Sequence, residues 1–205
     1  MRNFAILLGI MILGGCSLMS LDRDSLPERR YYSLSAGDVS SGEEIQSVSP
    51  IRLGVRDFGA DSLIEKRMIT RISPVEIEYR EYELWASRPE EMVTAGLKTA
   101  LAESGIFYRV SDVEAICISR GPSYMLDGYV HRFELDSSGS VPEARLEIEL
   151  TLVRDNDGEV IFQKMFKKRE PLTGTLSEDF ARAMNRAFQS FVREALKEIS
   201  SQKSP

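Results

Sequence analysis

Residues 144–168, ARLEIELTLVRDNDGEVIFQKMFKK, decide the fold. Leu146, Ile148, Leu150 and Leu152 alternate with Arg145, Glu147 and Glu149, the period of two expected of a strand with one buried face. Asp155-Asn156-Asp157-Gly158 then supplies residues that tolerate positive φ, and Val160 to Lys168 returns, which predicts a long antiparallel hairpin. Its apolar face needs a cover, and the sequence supplies one directly downstream. Phe180, Met184, Ala187, Phe188, Phe191, Ala195 and Ile199 form a helical stripe, and Thr175-Leu-Ser-Glu178 has the spacing of a capping box. A long final helix is expected on the sheet, with 202–205 as a frayed tail.

The upstream half repeats the logic. Tyr31 to Ser35 reads as a first strand, and 36–50 as a Ser/Gly/acid-rich loop. Ile51, Leu53 and Val55 alternate with polar neighbours in a second strand. Met68 to Ile72 and Val75 to Tyr82 flank Ser73-Pro74 as a further hairpin. A first helix is expected from about Arg88, with Ser87 as its cap, Pro89 in the first turn and Gly105 at its end. Its inward positions are Val93, Leu97, Ala100 and Leu101. Ile106 to Val110 and Tyr124 to Leu135 resume strands. The expected fold is α+β: a mixed, largely antiparallel sheet with two main helices packed on it, in a single domain over 31–201.

At the N-terminus, Arg2 precedes an apolar run from Phe4 to Leu13, far short of the roughly 20 residues of a transmembrane helix. Leu13-Gly14-Gly15-Cys16 resembles the lipobox of bacterial lipoproteins, so 1–15 reads as a signal peptide and Cys16 as the lipid-bearing first residue. Ser17 after the cysteine, rather than Asp, favours the outer membrane over the inner. Multiple acyl chains would make the anchoring effectively permanent, because each buried CH₂ contributes about 0.8 kcal/mol. Residues 16–30 form a flexible leader. Its 14 residues from Ser17 to Arg30 reach roughly 45–50 Å fully extended, and about 20 Å as a coil.

Composition narrows the function. The chain has 205 residues and net charge −6; removing 1–15 takes Arg2 and no acid, leaving 25 basic against 32 acidic side chains. A mature charge of −7 argues against a nucleic-acid partner. With Cys16 committed to lipid, Cys117 has no intramolecular partner, and its Ala115-Ile116-Cys117-Ile118 setting suits an inert core thiol.

The search for chemistry finds no phosphate loop, nucleophile elbow, cofactor motif or metal constellation. Asp155, Asp157 and Glu159 lack the spacing of a calcium loop. His131 inside a strand reads as a structural residue, with a general base as the sharper alternative. Lys164, Lys167, Lys168 and Arg169 suit either edge protection or contact with anionic head groups. Tyr79, Tyr82 and Trp85, where a strand ends and a helix begins, suit core packing or a partner-binding surface.

Several stretches carry a likeness. The lipobox, Tyr31-Tyr32-Ser33-Leu34, Tyr79 to Ala86 with Trp85, Pro89-Glu90-Glu91, Ser104-Gly105-Ile106-Phe107, Leu126-Asp127-Gly128, and Ala181 to Asn185 before Phe188 together resemble the ABC-type transport auxiliary lipoprotein family, which includes paraquat-inducible protein C. Ser87-Arg88-Pro89 departs from the Pro-Pro that often follows Trp-Ala in the family, and 112–123 has no counterpart there. The resemblance implies a non-enzymatic component of an envelope lipid-transport system, anchored in the outer membrane and facing the periplasm. The implied partners are a mammalian-cell-entry-domain tunnel protein and its inner-membrane permease and ATPase, with the chain acting alone or as a homo-oligomer. An alternative role is direct binding of a phospholipid or other apolar ligand between the final helix and the sheet.

Overall fold

A computed structural model describes residues 27–37, 49–112 and 123–202. The expectations for Cys16, the signal peptide, most of the leader, Cys117 and the tail beyond Gln202 fall outside the described residues.

The elements in order are β1 (Arg30–Tyr32), β2 (Ser49–Val55), β3 (Gly59–Ala60), β4 (Arg67–Ser73), β5 (Glu76–Trp85), α1 (Pro89–Glu103), β6 (Phe107–Asp112), β7 (Ser123–Asp136), β8 (Glu143–Arg154), β9 (Val160–Pro171) and α2 (Ser177–Ser201). All nine strands join one mixed sheet. Its spine is β7. Along one edge β7 pairs antiparallel with β8, from Tyr124↔Arg154 to Asp136↔Glu143, and β8 pairs antiparallel with β9. The other edge is shared by three shorter strands, each parallel to β7: β2 at its start, β3 at its middle and β4 at its end. Outside these lie β6, parallel to β2, and β5, antiparallel to β4; β1 adds parallel to the last residues of β5.

The hairpin that decided the sequence reading is present. Gly158 takes a φ of +73°, its N–H donates to the Arg154 carbonyl at 2.9 Å, and the Arg154 N–H donates to the Glu159 carbonyl at 2.8 Å. The Ala144, Leu146, Ile148, Leu150 and Leu152 face of β8 is almost wholly buried beneath α2, whose Phe180, Met184, Ala187, Phe188, Phe191 and Ala195 are all fully buried. Phe166 of β9 meets Phe191 edge to face at 5.4 Å. The helices approach closely at one point: a Cβ on Gly96 of α1 would stand 2.7 Å from the Phe188 ring. Any larger residue there would push the helices apart.

Both helix starts lie one residue from their expected caps. For α1 the N-cap is Arg88, not Ser87, and its N–H donates to Glu91 at 3.2 Å. For α2 the N-cap is Leu176, whose N–H donates to Asp179 at 3.0 Å. In each case the carboxylate at the third helical position accepts the cap residue's N–H, and this reciprocal half of a capping box sets the start without a hydroxyl. The end of α1 follows expectation, with Gly105 at φ +65°.

The chain after β1 crosses α2, where Asn185 and Gln189 hold it. Asn185 Nδ2 donates to the Ser33 carbonyl at 3.1 Å, and its Oδ1 accepts the Ser35 N–H at 2.7 Å. Asn185→Ala leaves both backbone groups without this partner, and is expected to cost about 1–2 kcal/mol. Faster hydrogen exchange at the Ser35 amide, alongside the denaturation midpoint, checks this; unchanged exchange would refute the clamp.

Candidate functional site

One irregularity shapes the sheet face away from the helices. Val130 registers with Ile148 but Arg132 with Glu147, so His131 is an extra residue in β7. Such a bulge shifts the side-chain alternation by one. Leu126, Gly128 and Val130 point into the core before it, Phe133 and Leu135 after it, and Arg132, Glu134 and Asp136 are thrown onto the outer face.

There the charges close on one another. Arg71 of β4 grips Glu134 with two parallel bonds, Nε to Oε1 at 2.8 Å and Nη2 to Oε2 at 2.9 Å, and Arg132 adds a third at 2.7 Å. Asp136, 2% exposed, accepts the Ser138 N–H at 2.8 Å and hydroxyl at 2.6 Å, and faces Arg145 at 2.7 Å. Burial pushes the Asp136 carboxyl up, but the Ser138 bonds together with the Arg145 and Arg71 charges outweigh burial and hold it below the usual carboxylate range. The Glu134 carboxylate raises the pKa of Arg71. Beside this network lies a groove of about 320 Å³, with Leu63, Ile64, Ile69, Ile77 and Met165 among its lining residues.

The sign of the pH effect follows. A carboxyl whose folded pKa is depressed contributes stability that is complete above its unfolded pKa, and that is lost as pH falls through the folded one. The denaturation midpoint is therefore expected to hold above about pH 4, the ordinary Asp range, and to fall below it. Asp136→Asn should flatten part of that acid limb in a pH series of urea melts; an unaltered limb would exclude Asp136 from the effect.

The three aromatics expected to act together are separated by the fold. Trp85 is 1% exposed, packed edge to face on Phe133 at 4.9 Å and Phe180 at 5.7 Å. It is a core residue, and the expectation that its ring meets a partner is corrected: β5 ends by turning inward against β7 and α2. Tyr79 lies on the groove side, where its hydroxyl donates to the Leu63 carbonyl at 2.9 Å and Arg67 stacks 4.4 Å above its ring. It braces the segment between β3 and β4. Of the three, Tyr82 has the most open ring, 37% exposed.

The remaining candidates are absorbed into the fold. His131 Nε2 lies 3.3 Å from Glu149, with its ring 4.8 Å from that of Tyr129. Lys164 binds Glu198 at 2.7 Å and Glu194 at 3.3 Å, and Lys168 also binds Glu194, so these lysines staple β9 to α2. Lys167 and Arg169 face Glu147 and Glu143 of β8. In the β8–β9 turn Arg154 pairs with Asp157 and Glu159. Among the described residues no group of three or more His, Cys, Asp or Glu side chains could hold a metal ion. The helix–sheet interface, where the alternative reading placed an apolar ligand, is filled by the buried side chains of α2 and β8. The groove on the opposite face escaped the sequence reading because its walls come from the segment between β3 and β4 and from β4, β5, β7, β8 and β9. The charged alternation of Arg132 and Glu134 was its one visible trace.

Comparison with known proteins gives the wider setting. The family model for the ABC-type transport auxiliary lipoprotein component matches residues 32–195. The chain belongs to this family. It is thus a member of a family of lipoprotein components that assist transport. A crystal structure of a Xanthomonas campestris protein, 21% identical, aligns over 86% of this chain and 95% of its own with a TM-score of 0.66. That of a further, uncharacterized protein, 14% identical, covers 84% of this chain and 99% of its own at 0.63. A hypothetical protein from Chlamydia trachomatis, 8% identical, covers 75% and 98% at 0.50. At these identities the likeness is one of fold. No curated protein matches the chain.

Proposed function

We propose that this family member is a non-enzymatic tether, anchored in the outer membrane through lipid on Cys16 and facing the periplasm, that receives the periplasmic tunnel of an envelope lipid-transport system. The carrying observation is the family match over 32–195 on a chain that opens with the lipoprotein pattern Leu13-Gly14-Gly15-Cys16. The described side chains support a scaffold. The carboxylates and the His131 imidazole on the outer face are engaged in ion pairs and hydrogen bonds, and a rigid domain on a 14-residue leader suits a docking part better than a catalyst. The partners in this reading are a mammalian-cell-entry-domain protein and, through it, an inner-membrane permease and ATPase. The exposed ring of Tyr82 is available as a contact.

The test is affinity purification of the full lipidated chain from crosslinked cells. Recovery of a mammalian-cell-entry-domain protein is expected, and its consistent absence would overturn the tether.

A further inference from the structure

Three loops meet at one end of the sheet. Residues 72–75 cover the end of β4 and the turn into β5, 137–142 join β7 to β8, and 171–176 run from the end of β9 into α2. The register pairs Arg71 with Asp136, Asp136 with Glu143, and Glu143 with Pro171, so the loops are neighbours. Backbone bonds stitch them together: the Ser137 N–H donates to the Arg71 carbonyl at 2.9 Å, and the Leu172 N–H to the Pro142 carbonyl at 3.0 Å.

In a chain that is 28% charged, none of these loop residues carries a charge: they read ISPV, SSGSVP and PLTGTL. Leu172 packs against the core, but four apolar side chains of these loops are exposed. Val75 is 96% exposed, Leu176 66%, Val141 57% and Ile72 41%. Other apolar residues such as Tyr108 and Val160 are exposed elsewhere, but four on adjoining loops without a charge mark a site of contact. One step back from the tips the surface changes to paired charges, Glu143 with Arg145 and Arg169, Glu170 with Arg186, and Glu178 with Arg182. The opposite end of the sheet is the charged turn of Arg154, Asp155, Asp157 and Glu159.

The direction of the chain says which surface this end meets. β1 is parallel to β5, with its first residue, Arg30, opposite Glu83, so the leader arrives from the uncharged end. Seven residue steps lead from Glu83 back to Glu76 at that end, at most roughly 23 Å. The stretch from Ser17 to Arg30 spans up to roughly 45–50 Å, enough to place Cys16 level with the loop tips. Apolar tips backed by a zone of arginines and acids match the layering of a bilayer's acyl boundary and head groups.

We propose that the uncharged end is a membrane-contact surface: Ile72, Val75, Val141 and Leu176 enter the interface of the bilayer that holds the Cys16 lipid, standing the sheet upright with the Arg154–Glu159 turn farthest from it. The lipid then supplies attachment and the loops supply orientation. The proposal rests on the anchored lipoprotein reading but not on the identity of the transport partner.

The experiment uses the full chain in vesicles of phosphatidylethanolamine and phosphatidylglycerol, on a Cys117→Ser background. An environment-sensitive fluorophore is placed at Val75→Cys, Leu176→Cys or, as control, Asn156→Cys, with brominated acyl chains as quencher. Each is run in the lipidated form, and as a Cys16→Ala chain held on nickel-chelating lipid by an N-terminal histidine tag, so failure of lipidation is separated from failure of the contact. Quenching at Val75 and Leu176 several-fold greater than at Asn156 is expected in both forms. Val75→Asp with Leu176→Asp should remove the quenching of a probe at Val141→Cys without lowering the thermal midpoint, since Asp is a favoured residue at the α2 N-cap. Equal, weak quenching at all sites would overturn the proposal and leave the exposed tips to a protein partner.

Discussion

Trp85→Ala is expected to cost about 3–5 kcal/mol of stability, the range for deleting a fully buried Trp. For a domain of this size that lowers the thermal midpoint by roughly 10 °C. The ring fills the corner where the end of β5 meets β7 and α2, against Phe133 and Phe180. Its backbone is also fixed, with its N–H on the Lys66 carbonyl at 2.7 Å and the following Ala86 N–H on the Tyr32 carbonyl at 2.7 Å. The surrounding strands therefore cannot collapse into the space left behind. The loss should appear first in the first-half hairpin and β1, because the Trp85 corner joins them to β7. Differential scanning calorimetry of wild type and variant gives the number. A change below about 1 kcal/mol would contradict the core assignment, since surface substitutions fall in that range.

Cys16→Ala should behave in the opposite way. On the proposed lipidation of Cys16, this substitution takes away the energy of membrane attachment, about 0.8 kcal/mol for each buried CH₂. Cys16 precedes all of the described elements, so the thermal midpoint is expected to stay where it is. The protein should leave the membrane fraction, and complementation of a deletion strain should fail. Full complementation by the soluble form would show that attachment is not part of the function. Together the two variants are expected to separate fold from the proposed anchor: the first should lose stability and stay with the membrane, the second should leave the membrane and keep its stability.

What was legible in the sequence was what is local. The β8–β9 hairpin and both helices are set by alternation, by a turn of Asp, Asn and Gly, and by apolar stripes, all contained within neighbouring residues. The pairing of β1 with β5 joins residues some fifty positions apart through a three-residue strand, and no local pattern encodes its parallel direction. The bulge at His131 was hidden for another reason. A single extra residue inverts the inward set of β7 from Val130 to Phe133, and the polar residues either side suit both registers. The caps moved by one residue because Glu91 and Asp179 satisfy the first backbone donors where Ser87 and Thr175 were expected to. Trp85 could not be assigned from residue type, since a large amphipathic ring serves core and interface equally well; only the inward turn of β5 decides it. The uncharged end of the sheet was invisible for the same reason as the groove, being assembled from three loops distant in sequence.

In the proposed tether, anchor, domain and docked tunnel form one chain of connection, and its two ends can be separated. Envelope membranes from cells with the wild-type protein, and from cells with Cys16→Ala, should be resolved on a density gradient after mild crosslinking. The mammalian-cell-entry-domain partner is predicted to trail into the outer-membrane fractions in the first case and to remain with the inner membrane in the second. The same distribution of that partner with and without the lipid would contradict the tether.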